Sequence, residues 1–219
     1  MTQGKGDVAT RWPLAAAMAC GVLLPLWVFG TLAGRVLARE PFALDTAWLL
    51  FFRGHAGPAW DVSMLAFSVA GSFLVVDPVA LLAAAMLGWR RRWQEAAFLV
   101  LAVGGAQLLN HLAKDAVRRV RPDLWVSIAP EASTSFPSGH AMQTMALALA
   151  LLLLTWPTRA RWLVLVAAAV FVAGVGASRL YLGVHFPSDV LAGWCAAVAW
   201  VNMLWLALRL RRKREGVRA

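Results

Sequence analysis

The stretch "SRLYLGVHFPSD", Ser178–Asp189, places an arginine, a histidine and an aspartate in one short gap between two long apolar runs. One run ends at Ser178 and the next starts at Val190. Whether the gap is a solvated turn or a site depends first on whether those runs cross a membrane. Of the 219 residues, 61% are hydrophobic, only 15% are charged and 12 are tryptophan. A soluble domain is about half apolar and about a quarter charged, so this composition is that of an integral membrane protein. The length leaves no room for a sizeable soluble domain beside several spans, so residues 1–219 read as one membrane domain. The net charge of +10 would suggest nucleic acid in a soluble chain. Here the placement of the charges argues against nucleic acid as a partner.

A helix needs about 20 mostly apolar residues to cross a hydrocarbon core of roughly 30 Å. Six segments qualify, at about 13–37, 62–88, 95–114, 139–156, 161–178 and 188–208. Open sheet edges do not survive in lipid, so the expected fold is all-α, a six-transmembrane-helix bundle. The first run is too long for a signal-peptide core and reads as a retained span. Cys20 and Cys195 lie inside apolar runs and read as packing residues.

Orientation follows from Lys and Arg. The N-terminus (Lys5, Arg11), Arg90–Arg92, Arg159, Arg161 and the tail from Arg209 to Arg218 together hold thirteen basic residues against three acidic ones, Asp7, Glu95 and Glu215. The alternate segments hold eight basic and seven acidic residues. Both termini are therefore expected in the cytoplasm, with segments 38–61, 115–138 and 179–187 outside. Within the first of these, "LDTAWLLFF" suits an interfacial helix or an ordinary connector equally.

Three polar clusters fall on the outer side. In "KDAVRRVRP", Lys114–Pro122, the residues Lys114, Arg118 and Arg121 share a face if helical, and Pro122 stops a helix nearby. Alone, such a cluster is an ordinary headgroup anchor. In "SFPSGH", Ser135–His140, Pro137 and Ser138 suit a helix entry and Gly139 allows close backbone approach. Exposed N–H groups there favour an anion. In the opening stretch, Asp189 falls in the first turn of a helix starting near Pro187 and can reach back to His185, holding the imidazole in one tautomer. Combined, the clusters supply two histidines, one paired carboxylate and several fixed cations, the parts a transferring phosphoryl group needs. No metal-ligand spacing is present, so neither metal nor cofactor is expected.

These residues resemble the three-part signature of the type 2 phosphatidic acid phosphatase (PAP2) superfamily. The sequence reads Lys114-x6-Arg121-Pro122, then Pro137-Ser138-Gly139-His140, then Ser178-Arg179-x5-His185-x3-Asp189, across a signature region 114–189. The resemblance implies a metal-independent membrane phosphatase acting on a lipid-linked phosphate or pyrophosphate, in a bacterial inner (plasma) membrane with its site facing the periplasm or exterior. It implies His185 as the nucleophile forming a phosphohistidine, Asp189 orienting it, and His140 protonating the leaving oxygen. Lys114, Arg121, Ser138, Gly139 and Arg179 would hold the phosphate. A phosphotransferase that passes the phosphate to a second lipid, and a non-catalytic lipid-phosphate binder or transporter, are the rival readings.

Four polar residues are left outside the site: Asp77 and His111 as packed polar groups, His55 as a surface residue, and Tyr181 as an interfacial anchor. The orientation is directly testable. A reporter that works only in the cytoplasm should be active when fused after Arg218 and silent when inserted near Ala129, and the opposite pair of results overturns the assignment.

Overall fold

The computed structural model describes residue 16 and residues 18–218, with side chains placed through residue 212. Lys5, Asp7, Arg11 and the start of the first expected span lie outside the described residues, as do the side chains of Lys213, Arg214, Glu215 and Arg218. Every described element is helical. A π-helical stretch, Ala19–Leu23, leads into α1 (Leu24–Leu37), followed by α2 (Ala43–Gly54), α3 (Pro58–Ala70) and α4 (Phe73–Trp89). Then come α5 (Trp93–Val117), α6 (Gly139–Thr155), α7 (Arg161–Tyr181) and α8 (Pro187–Arg218).

Four helices are long and apolar enough to cross a membrane: Ala19–Leu37, α5, α7 and α8 through Arg212. A fifth span results if α3 and α4, bent by 48° at their junction, count together. The chain is an integral membrane protein with four or five such candidates. The expected helix over 62–88 is therefore two helices. Gly71 is where they part, and a Cβ there would lie 2.5 Å from Val175 on α7, so only glycine admits this approach. The Ser72 hydroxyl then donates to Val69 O at 2.7 Å and turns the chain into α4.

The remaining expected span is α6, an apolar helix of 17 residues and shorter than a typical crossing. Burial explains how so short a helix fits. It packs against α5, α7 and α8, and Ala141, Ala146 and Ala150 are fully enclosed. Small side chains let helix backbones come close, which is how packing replaces the hydrophobic drive inside a bilayer. The core continues through Leu99, Ala102 and Ala106 of α5 and Ala197 and Val201 of α8.

Asp77 is half-buried on α4 and accepts from Gln143 Nε2 of α6 at 2.8 Å, tying the two helices together. Residues 43–54 form a helix that turns Asp45 and Leu49 inward and leaves Leu44, Trp48, Leu50 and Phe51 exposed. His55 is exposed at its end. Tyr181 corrects the expectation of an interfacial anchor: it is buried, and its hydroxyl donates to Asp61 at 2.6 Å.

A tight backbone contact fixes the start of α6. A Cβ on Gly193 of α8 would lie 2.7 Å from the Ser138 carbonyl oxygen and 3.2 Å from Met142 N. Backbone cannot rotate aside as a side chain can. Gly193→Ala should lower the melting temperature in detergent by an amount matching the roughly 1–3 kcal/mol of overpacking. Gly30→Ala, with no atom within 4 Å of the added carbon, should leave it unchanged.

Candidate active site

Helix α5 ends at Val117, earlier than Pro122 alone suggests, because Arg118 adopts the left-handed conformation (φ 50°, ψ 40°) and closes the helix by donating its N–H to Lys114 O. A C-terminal residue in this conformation commonly ends a helix, though glycine is its usual occupant. Arg118 and Arg121 therefore do not share a helical face with Lys114. Arg118 turns back, its Nε donating to Asp115 O at 3.0 Å, while Arg121 reaches inward from the irregular segment 118–138.

Arg121 donates through Nη1 to Val184 O at 2.6 Å and lies 3.1 Å from His185 Nε2. A guanidinium can only donate, so Nε2 carries the lone pair and the ring proton sits on Nδ1. That nitrogen faces Asp189 Oδ2 at 3.6 Å, an ion-pair separation too long for a hydrogen bond. Oδ2 instead accepts from the Phe186 N–H at 2.8 Å. His185 is 1% exposed and Asp189 0%. Burial pushes the His185 pKa well below its ordinary value, and the neighbouring Arg179 and Arg121 charges push the same way. The imidazole is thus neutral, with its Nε2 lone pair accepting from Arg121 and becoming a nucleophile only when that contact gives way.

Ser138 caps α6, its side chain accepting from Ala141 N at 3.5 Å. Its own N–H donates to Asp189 O at 3.0 Å, stitching the second and third motifs together. Asn110 Nδ2 donates to Pro137 O at 3.1 Å, and its Oδ1 would lie 3.0 Å from a Cβ on Gly139. Lys114 Nζ donates to Thr134 O, with Ser133 Oγ at 3.4 Å. Arg179 is 1% exposed and donates to Ser68 Oγ at 2.5 Å. Lys114, Gly139, His140 and His185 line one cavity of about 370 Å³. His111, one turn before Lys114, also lines it, the alternative that its spacing allows beside a packed position.

At the centre stands a residue that the motif reading passed over. Glu131 pairs with Arg121 Nη2 at 2.7 Å and with Arg179 Nη2. Its carboxylate also lies 3.7 Å from His140 Nδ1 and 3.9 Å from His185 Nε2. Burial pushes its pKa up, but the Arg179 and Arg121 charges outweigh that and hold it at about 2. An ionised oxygen pair thus sits among two cations and two imidazoles.

A second network lies behind His185. Arg119 donates to Asp189 Oδ1 at 2.6 Å, Ser188 Oγ at 2.7 Å and Asp45 Oδ2 at 2.8 Å. Asp45 accepts from the Ser188 N–H at 3.0 Å and hydroxyl at 2.6 Å, capping α8 from a distance. The Arg119 guanidinium also stacks 4.1 Å over Phe186. Local spacing carries no signal for these partners; the near balance of eight basic and seven acidic residues on this side is the one hint that the cations are paired.

Residues 95–213 match the PAP2 superfamily. Phosphatidylglycerophosphatase B of Bacillus subtilis is 37% identical over 130 residues, 57% of this chain and 63% of its own length. Decaprenylphosphoryl-5-phosphoribose phosphatase of Mycolicibacterium smegmatis is 37% identical over 72% of this chain and 74% of its own. The crystal structure of the transmembrane PAP2 type phosphatidylglycerolphosphate phosphatase from Bacillus subtilis superposes with a TM-score of 0.71 at 27% identity, over 83% of this chain and 94% of that one. The chain belongs to the PAP2 superfamily, and the relatives named here are lipid phosphatases.

The network behind His185 gives a stability prediction. Arg119→Met leaves the buried Asp45 and Asp189 carboxylates without their shared cation. Breaking a buried pair from one side costs about 3–5 kcal/mol, so the variant should melt well below the wild type in detergent. Unchanged melting would show that the network bears no load.

Proposed function

We propose that the chain is a six-span PAP2-type phosphatase that hydrolyses a lipid phosphate monoester or pyrophosphate at the extracytoplasmic face, through a phosphohistidine. The carrying observation is the anion position between two imidazoles. A carboxylate held by Arg121 and Arg179, with His185 Nε2 and His140 Nδ1 within 4 Å, marks where a phosphoryl group would lie.

With the phosphoryl group there, His185 Nε2 attacks phosphorus and forms a P–N bond as the bond from phosphorus to the ester oxygen breaks. His140 gives that oxygen its proton, and the alcohol leaves. Water then attacks phosphorus, His140 takes its proton, the P–N bond breaks, and inorganic phosphate and free His185 result. Arg121, Arg179 and Lys114, with the backbone at Ser138 and Gly139, hold the equatorial oxygens. Such stabilisers act most strongly where water is excluded. Asp189 faces the proton on Nδ1 and stabilises the ring as it gains charge.

A lipid substrate is supported by a second cavity of about 500 Å³, lined by Val22, Leu26, Phe29, Leu109, Leu112 and Pro137 among others. Its walls are apolar, suited to a hydrocarbon chain, and through Pro137 it adjoins the segment that bears His140.

Two substrates separate the histidine roles. General acid catalysis is worth about 10²–10⁴-fold, and it matters less when the leaving group is good. His185→Ala should be inactive on both a lipid phosphate and p-nitrophenyl phosphate. His140→Ala should lose far more on the lipid than on the activated ester. Equal losses would make His140 a phosphate ligand, and substantial activity in His185→Ala would end the phosphohistidine mechanism.

A further inference from the structure

Glu131 belongs to none of the three motifs, yet its carboxylate holds the centre of the cation cluster. Its two oxygens are divided between the guanidiniums, Oε2 on Arg121 at 2.7 Å and Oε1 on Arg179. Both imidazoles face the same group, at 3.7 and 3.9 Å. A bound phosphoryl group and this carboxylate would make the same contacts, so both cannot be present. Any substrate must first displace Glu131.

The surroundings make displacement feasible. Glu131 is carried on irregular backbone, and its side chain is 27% exposed, whereas Arg179 beneath it is 1% exposed. It lines both the cavity shared with His140 and His185 and a second opening shared with Arg118, Arg119 and Thr134. Rotation about its own side-chain bonds would carry the carboxylate from the first to the second. Arg179 and Arg121 stay in place, held by Ser68 and by Val184 O.

The exchange discriminates by charge. A carboxylate carries one negative charge, and a phosphate monoester near neutral pH carries about 1.5–2. Lys114, Arg121 and Arg179 surround the position, so replacing the carboxylate by a monoester gains attraction. A phosphodiester headgroup carries one charge and a second substituent. It exchanges one monoanion for another and gains nothing.

The geometry points to Glu131 as a specificity-determining residue, a tethered competitor that keeps phosphodiester headgroups out of the site and yields to terminal phosphates, whether monoester or pyrophosphate. This rests on the phosphatase reading above for its purpose, since a membrane enzyme works among an excess of diester lipids. It also predicts that Glu131 helps expel inorganic phosphate after hydrolysis.

The test uses purified full-length protein in detergent with two probes, inorganic phosphate and a short-chain phosphatidylglycerol in mixed micelles. Thermal shift reads binding without turnover, and steady-state inhibition reads it with turnover. Wild type should be stabilised by phosphate and indifferent to the diester. Glu131→Gln should melt lower without ligand, because Arg121 and Arg179 lose their counter-charge. It should gain a larger shift from phosphate, and the diester should become an inhibitor at least about tenfold stronger, as expected when a competing charge-assisted pair is removed. Glu131→Asp keeps the charge on a shorter arm and should fall between, which covers the case where Glu131→Gln does not fold. Unchanged diester and phosphate affinities in both variants overturn the proposal, and loss of turnover alongside them makes Glu131 part of the catalytic machinery instead. Phosphate binding without hydrolysis of any lipid phosphate would remove the phosphatase reading while leaving the competitor role measurable.

Discussion

A guanidinium buried inside a helical bundle is the constraint around which the site end of this molecule is organised. Arg179, at 1% exposure, projects from the last turn of α7 into the bundle interior. An uncompensated charge there is costly enough that its surroundings must supply partners. They come from separate parts of the chain, Ser68 on α3 and Glu131 on the segment between α5 and α6. One side chain thereby fixes a helix, a loop and its own helix relative to one another. Arg121 shares the same carboxylate, so the first and third motifs are joined through Glu131.

A second charge layer, on the far side of His185, is built differently. There the carboxylates outnumber the cation, with Arg119 serving both Asp45 and Asp189. The imidazole lies between a cationic front and an anionic back. This polarity sets its tautomer: Arg121 donates to Nε2, the proton goes to Nδ1, and Nδ1 faces Asp189. A neutral ring whose Nε2 lone pair is held by Arg121, beside the anion position, follows from the arrangement of charges around it, more than from a direct histidine–aspartate hydrogen bond.

Much of this was legible in the sequence, and what was missed has physical causes. Apolar length located the long helices, because lipid requires backbone groups to be satisfied within the segment, but it left 43–54 undecided between a helix and a connector. The motifs located His140, His185 and Asp189 because each sits at a helix end, where local sequence governs geometry. The bend at Gly71–Ser72 was hidden because it depends on Val175, a residue on another helix. The turn at Arg118 was hidden because left-handed backbone is unusual for arginine. Asp45, Arg119 and Glu131 were hidden for a third reason. Their partners lie 10 to 143 positions away, and no periodicity marks a contact that only the folded chain creates. Tyr181 was misplaced likewise, since its partner Asp61 lies 120 residues distant.

The segment Pro137–His140 shows how these constraints meet at the chemistry. Pro137 lines the apolar cavity on one side, while Gly139 and His140 line the polar one on the other. The segment is held from three directions, by Asn110 on Pro137 O, by the Ser138 N–H on Asp189 O, and by the tight contact of Gly193 with Ser138 O. In the proposed function an amphiphile would lie across this boundary, its chain on the Pro137 side and its phosphate among the cations. The bond to be broken would then fall beside His140, where the proton is needed. On that reading the apolar cavity would position the hydrocarbon chain and the cations the phosphorus. Because the two are joined by only four residues of fixed backbone, selecting a lipid and aligning it for attack become the same act.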